Sequence, residues 1–341
     1  MKKILIIRFS AIGDVALWVP VAKRALALNS NIEITILTKQ HCAFMFENTE
    51  RLKVIGVDLQ NKYKGILGIL KLAKFINNNF IFDTVIDGHD VLRSKILLKI
   101  INGRQKITFD KGRREKQLLI DGKINNALPH TAERYATSLA KAGLQIDTNF
   151  TFPAIAITKN DASVASEFIG TINKKIIIGI APFAQHKGKI FPISKMTELI
   201  EQLISNGNAI VLFGAGKAEL EVMVNWQTKF SNIYLCNNLT FAQQISVMQY
   251  CKFILSMDSA NMHIAAMQGV KVFSIWGATH TSLGFAPLHQ QIENCIQISQ
   301  LELPCRPCSV FGNKPCLLKD TPYACLQNIK IETILNKINS D

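Results

Sequence analysis

The stretch FILSMDSANMHIAAMQGVKVFSIWG, Phe253–Gly277, reads as an apolar strand, a short polar turn, a helix and a second apolar strand. The turn holds Asp258, Ser259 and Asn261, and His263 falls just inside the helix that Gly269 stops. Polar groups at the C-terminal end of a buried strand, leading into a helix N-terminus, are the layout of an anion site in an α/β sheet. A plain helix cap from Asp258 or Ser259 has the same sequence. From this stretch alone both readings stand.

Working outward, the same grammar covers the chain. Apolar, β-rich runs at residues 3–8, 33–38, 52–57, 83–86 and 106–109 alternate with helical patterns such as 15–28 and 66–77. After a helix at 132–143 and a connection at 144–161, strands at 174–181, 208–213, 232–236, 253–257 and 271–276 alternate with helices at 194–205, 218–230 and 241–250. Strands separated by helices imply parallel sheets covered on both faces. The fold class expected is α/β, with two Rossmann-like doubly wound domains facing across a cleft: residues 1–155, residues 156–325, and a C-terminal helix at 326–341. A length of 341 residues suits two cores.

The formal net charge is +14, and the first 165 residues carry 25 of the 39 basic but only 14 of the 25 acidic side chains. That basic half suggests an anionic partner: nucleic acid, a membrane surface or a phosphorylated substrate. The apolar run at Ile4–Ile7 is too short for a secretory segment, and no stretch reads as a bilayer span. The expectation is a cytoplasmic protein whose membrane contact is peripheral. Of eight cysteines, Cys42, Cys236, Cys251 and Cys295 read as reduced core residues. Cys305, Cys308, Cys316 and Cys325 fall as C-x2-C-x7-C-x8-C. They are zinc candidates by residue type, although only the first pair has knuckle spacing, and packed reduced thiols are the plainer reading.

Residues at strand ends in both halves can meet in such a cleft. After the first strand, Ser10 and Gly13 precede Asp14, a carboxylate in a first helical turn that serves either the helix dipole or as a general base. In the second half, the loop holding Gln185, Lys187 and Lys189 can meet phosphate oxygens, or is a solvated basic loop. GAGKAE at 214–219 is neither a Walker A nor a full dinucleotide fingerprint, and Glu219 could face a ribose.

Six pieces run in a family order: ILIIRFSAIGDV near the start, HTAERYATSLAKAGL at 130–144, GKIFP at 188–192, MDSANMHIAAMQGV at 257–270, SIWGATH at 274–280, and the CRPC…C…C tail. With them the chain resembles glycosyltransferase family 9, the bacterial heptosyltransferases of lipopolysaccharide core synthesis and their relatives. The resemblance implies a GT-B architecture, inversion at the anomeric carbon, and no required metal or cofactor beyond a nucleotide-sugar substrate such as ADP-heptose. It implies Asp14 as catalytic base, and Lys189 with Asp258, Ser259, Ala260 and His263 as donor site. Ala260 stands where the family keeps glycine, so donor identity stays open, and Phe191, where it keeps tryptophan, is a mild change.

The function expected is transfer of a sugar, heptose, to a lipopolysaccharide core or related glycolipid at the inner membrane surface. Arg93, Arg113 and Arg114 are the candidates for the acceptor, with Ser10 and Gly13, and the protein is expected to be a monomer that binds no nucleic acid. One rival is a nucleic-acid-binding protein with a C-terminal zinc module; only Phe109 interrupts the basic stretch 104–123, against the aromatic interleaving that rival needs. A nucleotide-sugar epimerase or hydrolase of the same fold is the other.

Overall fold

A computed structural model describes residues 1–340 and divides the chain into two compact units. The first holds Met1–Arg113 and Pro129–Ala156; the second holds Arg114–Leu128 and the chain from Ile157 onward. The sequence reading differs at one place, since it put all of 1–155 in one domain. Residues 114–128 group with the second unit because Lys116 lies 4.1 Å over the Phe285 ring and the Leu128 N–H donates to Ser282 O. The C-terminal helix Ile331–Asn339 also packs into the second unit, burying Ile331, Ile334 and Ile338 in its core.

The first unit is a five-stranded parallel sheet made of β1 (Lys2–Ile7), β2 (Ile32–Lys39), β3 (Leu52–Val57), β4 (Thr84–Asp87) and β5 (Gln105–Thr108), in the order β3-β2-β1-β4-β5. Helices cover both faces, so Ile4–Ile7 and Thr84–Asp87 are wholly buried. The helix Gly65–Asn79 turns Ile69, Leu72, Ala73 and Ile76 onto Leu5, Ile7 and Val85. Each such fully buried aliphatic side chain contributes about 1.5–3 kcal/mol. The helix expected at 15–28 is two, Ile12–Ala16 and Trp18–Leu28. Pro20 explains the break: its ring cannot sit over the carbonyl of Ala16, one turn earlier, but it is accommodated in the first turn of a new helix.

The second unit is a six-stranded parallel sheet of β6 (Ile177–Ala181), β7 (Ala209–Leu212), β8 (Ile233–Leu235), β9 (Ile254–Met257), β10 (Val272–Ile275) and β11 (Cys295–Ile296), in the order β11-β10-β9-β6-β7-β8. Helix Lys159–Gly170 starts inside the stretch read as a connection, capped by the Thr158 hydroxyl, which accepts from the Asp161 N–H. Gly269, at φ +74°, terminates the helix Ala260–Met267 as the sequence implies.

Strand order fixes where ligands can bind. In the first sheet β1 leads outward to β2 and β3, while β4 and β5 lie on its other side; in the second, β6 leads to β7 and β8, with β9 to β11 opposite. Each sheet therefore has a topological switch point, between β1 and β4 and between β6 and β9. Open parallel sheets bind ligands at the carboxyl ends of strands flanking that point.

Candidate functional site

At the first switch point, Arg8 leaves β1 with its side chain 5% exposed and its Nη2 2.5 Å from Asp14 Oδ2. Arg8 Nη1 donates to the Gly88 carbonyl beyond β4 at 2.8 Å, and its guanidinium lies 5.9 Å over the Tyr135 ring. Burial opposes the Arg8 charge, but Tyr135, Asp14 and Asp87 outweigh it and push its pKa up. The Ala11 N–H also donates to Asp14 Oδ2, at 3.3 Å, and the fully buried Tyr135 hydroxyl donates to the Asp14 carbonyl. Tyr135 stacks on Trp18 with ring centroids 4.1 Å apart. Asp14 is thus a partly exposed carboxylate, 29% accessible, on a turn fixed from three sides.

The loop after β4 completes the cluster. Asp87 Oδ1 accepts from the N–H groups of His89 and Asp90, and His89 Nε2 sits 3.3 Å from Ser10 Oγ. Burial first, then Arg8 and Lys111, lowers the His89 pKa to about 3, so the ring is neutral at ordinary pH. Asp90 pairs with Arg113 at 2.8 Å and Lys95 at 3.0 Å.

At the second switch point, Lys189 closes a 3-10 turn (Lys187–Lys189), and its Nζ lies 2.8 Å from Asp258 Oδ2. The Thr279 hydroxyl after β10 donates to the same oxygen at 2.8 Å. Ser259 occupies the N-cap of helix Ala260–Met267, but its side chain makes no capping bond and meets Ser256 Oγ instead. Neither Asp258 nor Ser259 is therefore a plain cap: one holds a lysine, the other faces its strand. His263 is buried within the helix.

This turn is braced from the C-terminal loop. Arg306, 2% exposed, donates to the carbonyls of Trp276, Gly277, Thr279 and Ile298 and to Gln297 Oε1. The Gly188 carbonyl accepts from the Ala278 N–H at 2.8 Å, locking the lysine loop to the same turn. Gly188 is required there: a Cβ would lie 2.9 Å from both Ala278 Cβ and Gly312 O.

The structure brings Ser10, Gly13 and Asp14 together in one unit, and Lys189, Asp258, Ser259 and Ala260 in the other. Gln185 is exposed on the loop before Lys187. Glu219 does not project outward: its Oε2 accepts from the Ala215 N–H at 2.8 Å, tying down the Gly214–Gly216 turn, and burial raises its pKa. Arg93 is exposed, Arg113 is held by Asp90, and Arg114 falls in the second unit. Phe191 is fully buried core. Sequence reading missed Arg8, Asp87, His89, Asp90, Lys111, Tyr135, Thr279 and Arg306; the polar run Asp87–Asp90 directly after an apolar strand was the available signal for three of them.

Cys305, Cys308, Cys316 and Cys325 are free thiols that line one small pocket with Arg306 and Lys314. Among the described residues no group of three or more His, Cys, Asp or Glu side chains is arranged to hold a metal ion. Cys316 Sγ instead accepts from the Tyr323 N–H, and burial pushes the Cys325 thiol up to about 11. Cys42, Cys236, Cys251 and Cys295 are buried free thiols, raised in pKa chiefly by burial. No helix among the described residues is long and apolar enough to cross a membrane.

Comparison with known proteins identifies the family and the fold. Residues 69–314 match the model of glycosyltransferase family 9 (heptosyltransferase). The lipooligosaccharide heptosyltransferase 2 of Campylobacter jejuni is 24% identical over 86% of this chain and 84% of its own. The lipopolysaccharide core heptosyltransferase OpsX of Haemophilus influenzae is 24% identical over 87% and 84%. Among solved structures, a family 9 glycosyltransferase of Veillonella parvula superposes with TM-score 0.77 at 18% identity, covering 99% of this chain and 96% of its own. The Escherichia coli ADP-heptose lipopolysaccharide heptosyltransferase II does so with 0.69 at 17% identity, covering 100% and 98%. The fold is thus GT-B, and a glycosyl-transfer enzyme replaces the nucleic-acid-binding alternative. The two switch points, the Asp14 turn and the Lys189–Asp258 turn are those of a chain that belongs to glycosyltransferase family 9, and the protein is a glycosyltransferase.

Proposed function

We propose that the protein transfers heptose from a nucleotide-diphosphate donor, ADP-heptose, to a hydroxyl of a lipopolysaccharide-core-like anionic glycolipid, with inversion and without a metal. The observation that carries the donor half is the Lys189–Asp258 contact at the second switch point, 2.8 Å long and beside a helix N-terminus without a side-chain cap. Both features favour a diphosphate: an ammonium on a braced loop, and backbone N–H groups aimed along the helix dipole. Similar solved structures support this donor: the E. coli heptosyltransferase WaaC with ADP and with ADP-2-deoxy-2-fluoro heptose.

The chemistry follows from the two half-sites. Asp14 accepts the proton of the attacking hydroxyl as its oxygen bonds the anomeric carbon. The bond from that carbon to the diphosphate oxygen breaks in the same displacement, which inverts the centre. Lys189 and the N–H groups at residues 259–261 take up the charge that develops on the leaving diphosphate. Membrane contact is peripheral, through the basic first half.

Asp14→Asn tests this reading. It keeps a hydrogen-bonding partner for Arg8, so ADP binding and folding are expected to persist while kcat falls by roughly 10²–10⁴. ADP release and heptosylated product, measured together, check it; transfer at the wild-type rate in a folded variant overturns the base assignment.

A further inference from the structure

The helix Gly65–Asn79 carries apolar side chains on its outer face as well as its inner one. Ile69, Leu72, Ala73 and Ile76 line the core, while Ile66 and Leu67 are 65% and 82% exposed, and Leu70 and Phe75 share their side of the helix. A helix apolar all round is ordinarily covered all round, and single exposed leucines are common, but a cluster on one helix face marks a contact surface. The neighbouring helix Leu92–Ile100 adds Leu92, 74% exposed, in its own first turn. The apolar turn at 66–67 is no frayed end. The buried Tyr63 before it donates its N–H to Asp58 O at 2.9 Å, and Gly68 packs so closely on Tyr63 that a Cβ would lie 2.2 Å from its carbonyl carbon.

The charge on these two helices has one sign. Between Asp58 and Asp83 the chain has no carboxylate but four exposed lysines, Lys62, Lys64, Lys71 and Lys74; between Asp90 and Asp110 it has none and five exposed cations. The bounding carboxylates are engaged elsewhere. Asp58 accepts from the Gln60 and Asn61 N–H groups, Asp83 from the Lys3 N–H and Asp110 from the Gly112 N–H, while Asp90 holds Arg113 and, of the nine cations, Lys95. By helical period Lys71 and Lys74 fall on the same outer face as Leu67 and Leu70. The Asn77 side chain donates to the Ile100 carbonyl and accepts from the Asn102 N–H, which fixes the helices side by side. Each starts where a parallel strand ends, β3 or β4, so both first turns stand at the carboxyl edge that also carries Asp14.

We propose that the outer face of helix Gly65–Asn79, with Leu92 of the helix beside it, is the surface by which the protein docks on an anionic phospholipid bilayer. A second copy does not fit this face, because a two-fold contact sets one cationic surface against its identical twin. Anionic headgroups neutralise the lysines and leave Ile66, Leu67 and Leu70 to enter the interfacial layer. The inference rests on the glycolipid acceptor proposed above and deepens it: docking here brings the edge that carries Asp14 to the membrane in which such an acceptor is held.

Flotation of the full chain with vesicles of phosphatidylethanolamine and phosphatidylglycerol, against vesicles of phosphatidylcholine, tests it. Wild type is expected to partition onto the anionic vesicles, to come off as salt rises, and to leave phosphatidylcholine largely bare. Ile66→Ser with Leu67→Ser is expected to lower that partition about 10–100-fold, and Lys71→Gln with Lys74→Gln about 10–30-fold. Melting temperatures are expected to stay within about 2 °C of wild type; if the serine pair melts early, the lysine pair decides. Equal partition onto both kinds of vesicle overturns the proposal, as does unchanged partition in either folded double variant. A solution dimer that the serine pair dissolves also overturns it, by making a second copy the occupant. Turnover of a deacylated, lipid-free acceptor separates the two levels of failure: both variants are expected to keep the wild-type kcat there and to lose rate only with acceptor in vesicles. Failed vesicle binding with that turnover intact rejects only the docking face, whereas a wild type that transfers no heptose rejects the underlying function.

Discussion

Lys189 Nζ and Thr279 Oγ1 converge on one oxygen of Asp258, each at 2.8 Å. A carboxylate with 5% of its surface exposed holds the ammonium of Lys189. In the proposed donor site Asp258 would position Lys189 rather than touch phosphate itself, since a second anion at that oxygen is repelled.

Lys189→Met is expected to weaken ADP binding about 10–100-fold in calorimetry. Asp258→Asn is expected to weaken it less, and the double variant to match Lys189→Met alone, because the two residues act as one unit. Tighter ADP binding in Asp258→Asn would show that the carboxylate masks the lysine instead.

Gly188→Ala places a methyl 2.9 Å from both Ala278 Cβ and Gly312 O. Backbone has little room to give, so the expected cost is about 1–3 kcal/mol, read in thermal melts, with weaker ADP binding as Lys189 shifts.

Stability is expected to fall as pH drops below about 6.5. His89 titrates near 3 in the folded chain, because burial and then Arg8 and Lys111 disfavour its charged form. The unfolded chain takes up that proton near 6.5, so the stabilisation is full above that pH and lost below it. Between pH 7 and 5 this amounts to about 2 kcal/mol. His280, lowered to about 4 by burial and then Arg306, acts in the same direction in the second unit. Melting temperatures of His89→Gln against pH are expected to show a shallower slope than wild type.

Arg306→Ala strips the Trp276, Gly277, Thr279 and Ile298 carbonyls of their shared donor. Leaving buried acceptors unpaired costs about 1–3 kcal/mol each. A total of about 4 kcal/mol, the low end of that range for four carbonyls, lowers the melting temperature by roughly 8–16 °C. ADP affinity is expected to fall with it, and Arg306→Lys to recover little, because one ammonium cannot reach five acceptors.

Strand positions were legible because buried parallel strands are written as continuous apolar runs such as Ile4–Ile7 and Ile254–Met257. The break at Leu17 was also written, in Pro20, but a helical period smooths over it. Site residues on helix-start turns, Asp14 and Asp258, were legible from spacing. Those that act across the sheet were not. Arg8 meets Asp14 only after β1 ends and the chain turns back, and Arg306 reaches the turn at 276–279 from about thirty residues downstream. Tyr135 lies on the face of helix Thr131–Lys141 that packs on Trp18, a contact that no local pattern encodes.

Arg306 also makes the turn at 276–279 depend on chain that lies outside the sheet. All six strands of the second sheet end by Ile296, yet the carbonyls of Trp276, Gly277 and Thr279 take their shared donor from a loop ten residues further on. A change confined to the cysteine-rich loop therefore reaches the Lys189–Asp258 turn without touching either residue, through the Ala278 N–H that the Gly188 carbonyl holds and the Thr279 hydroxyl that Asp258 holds.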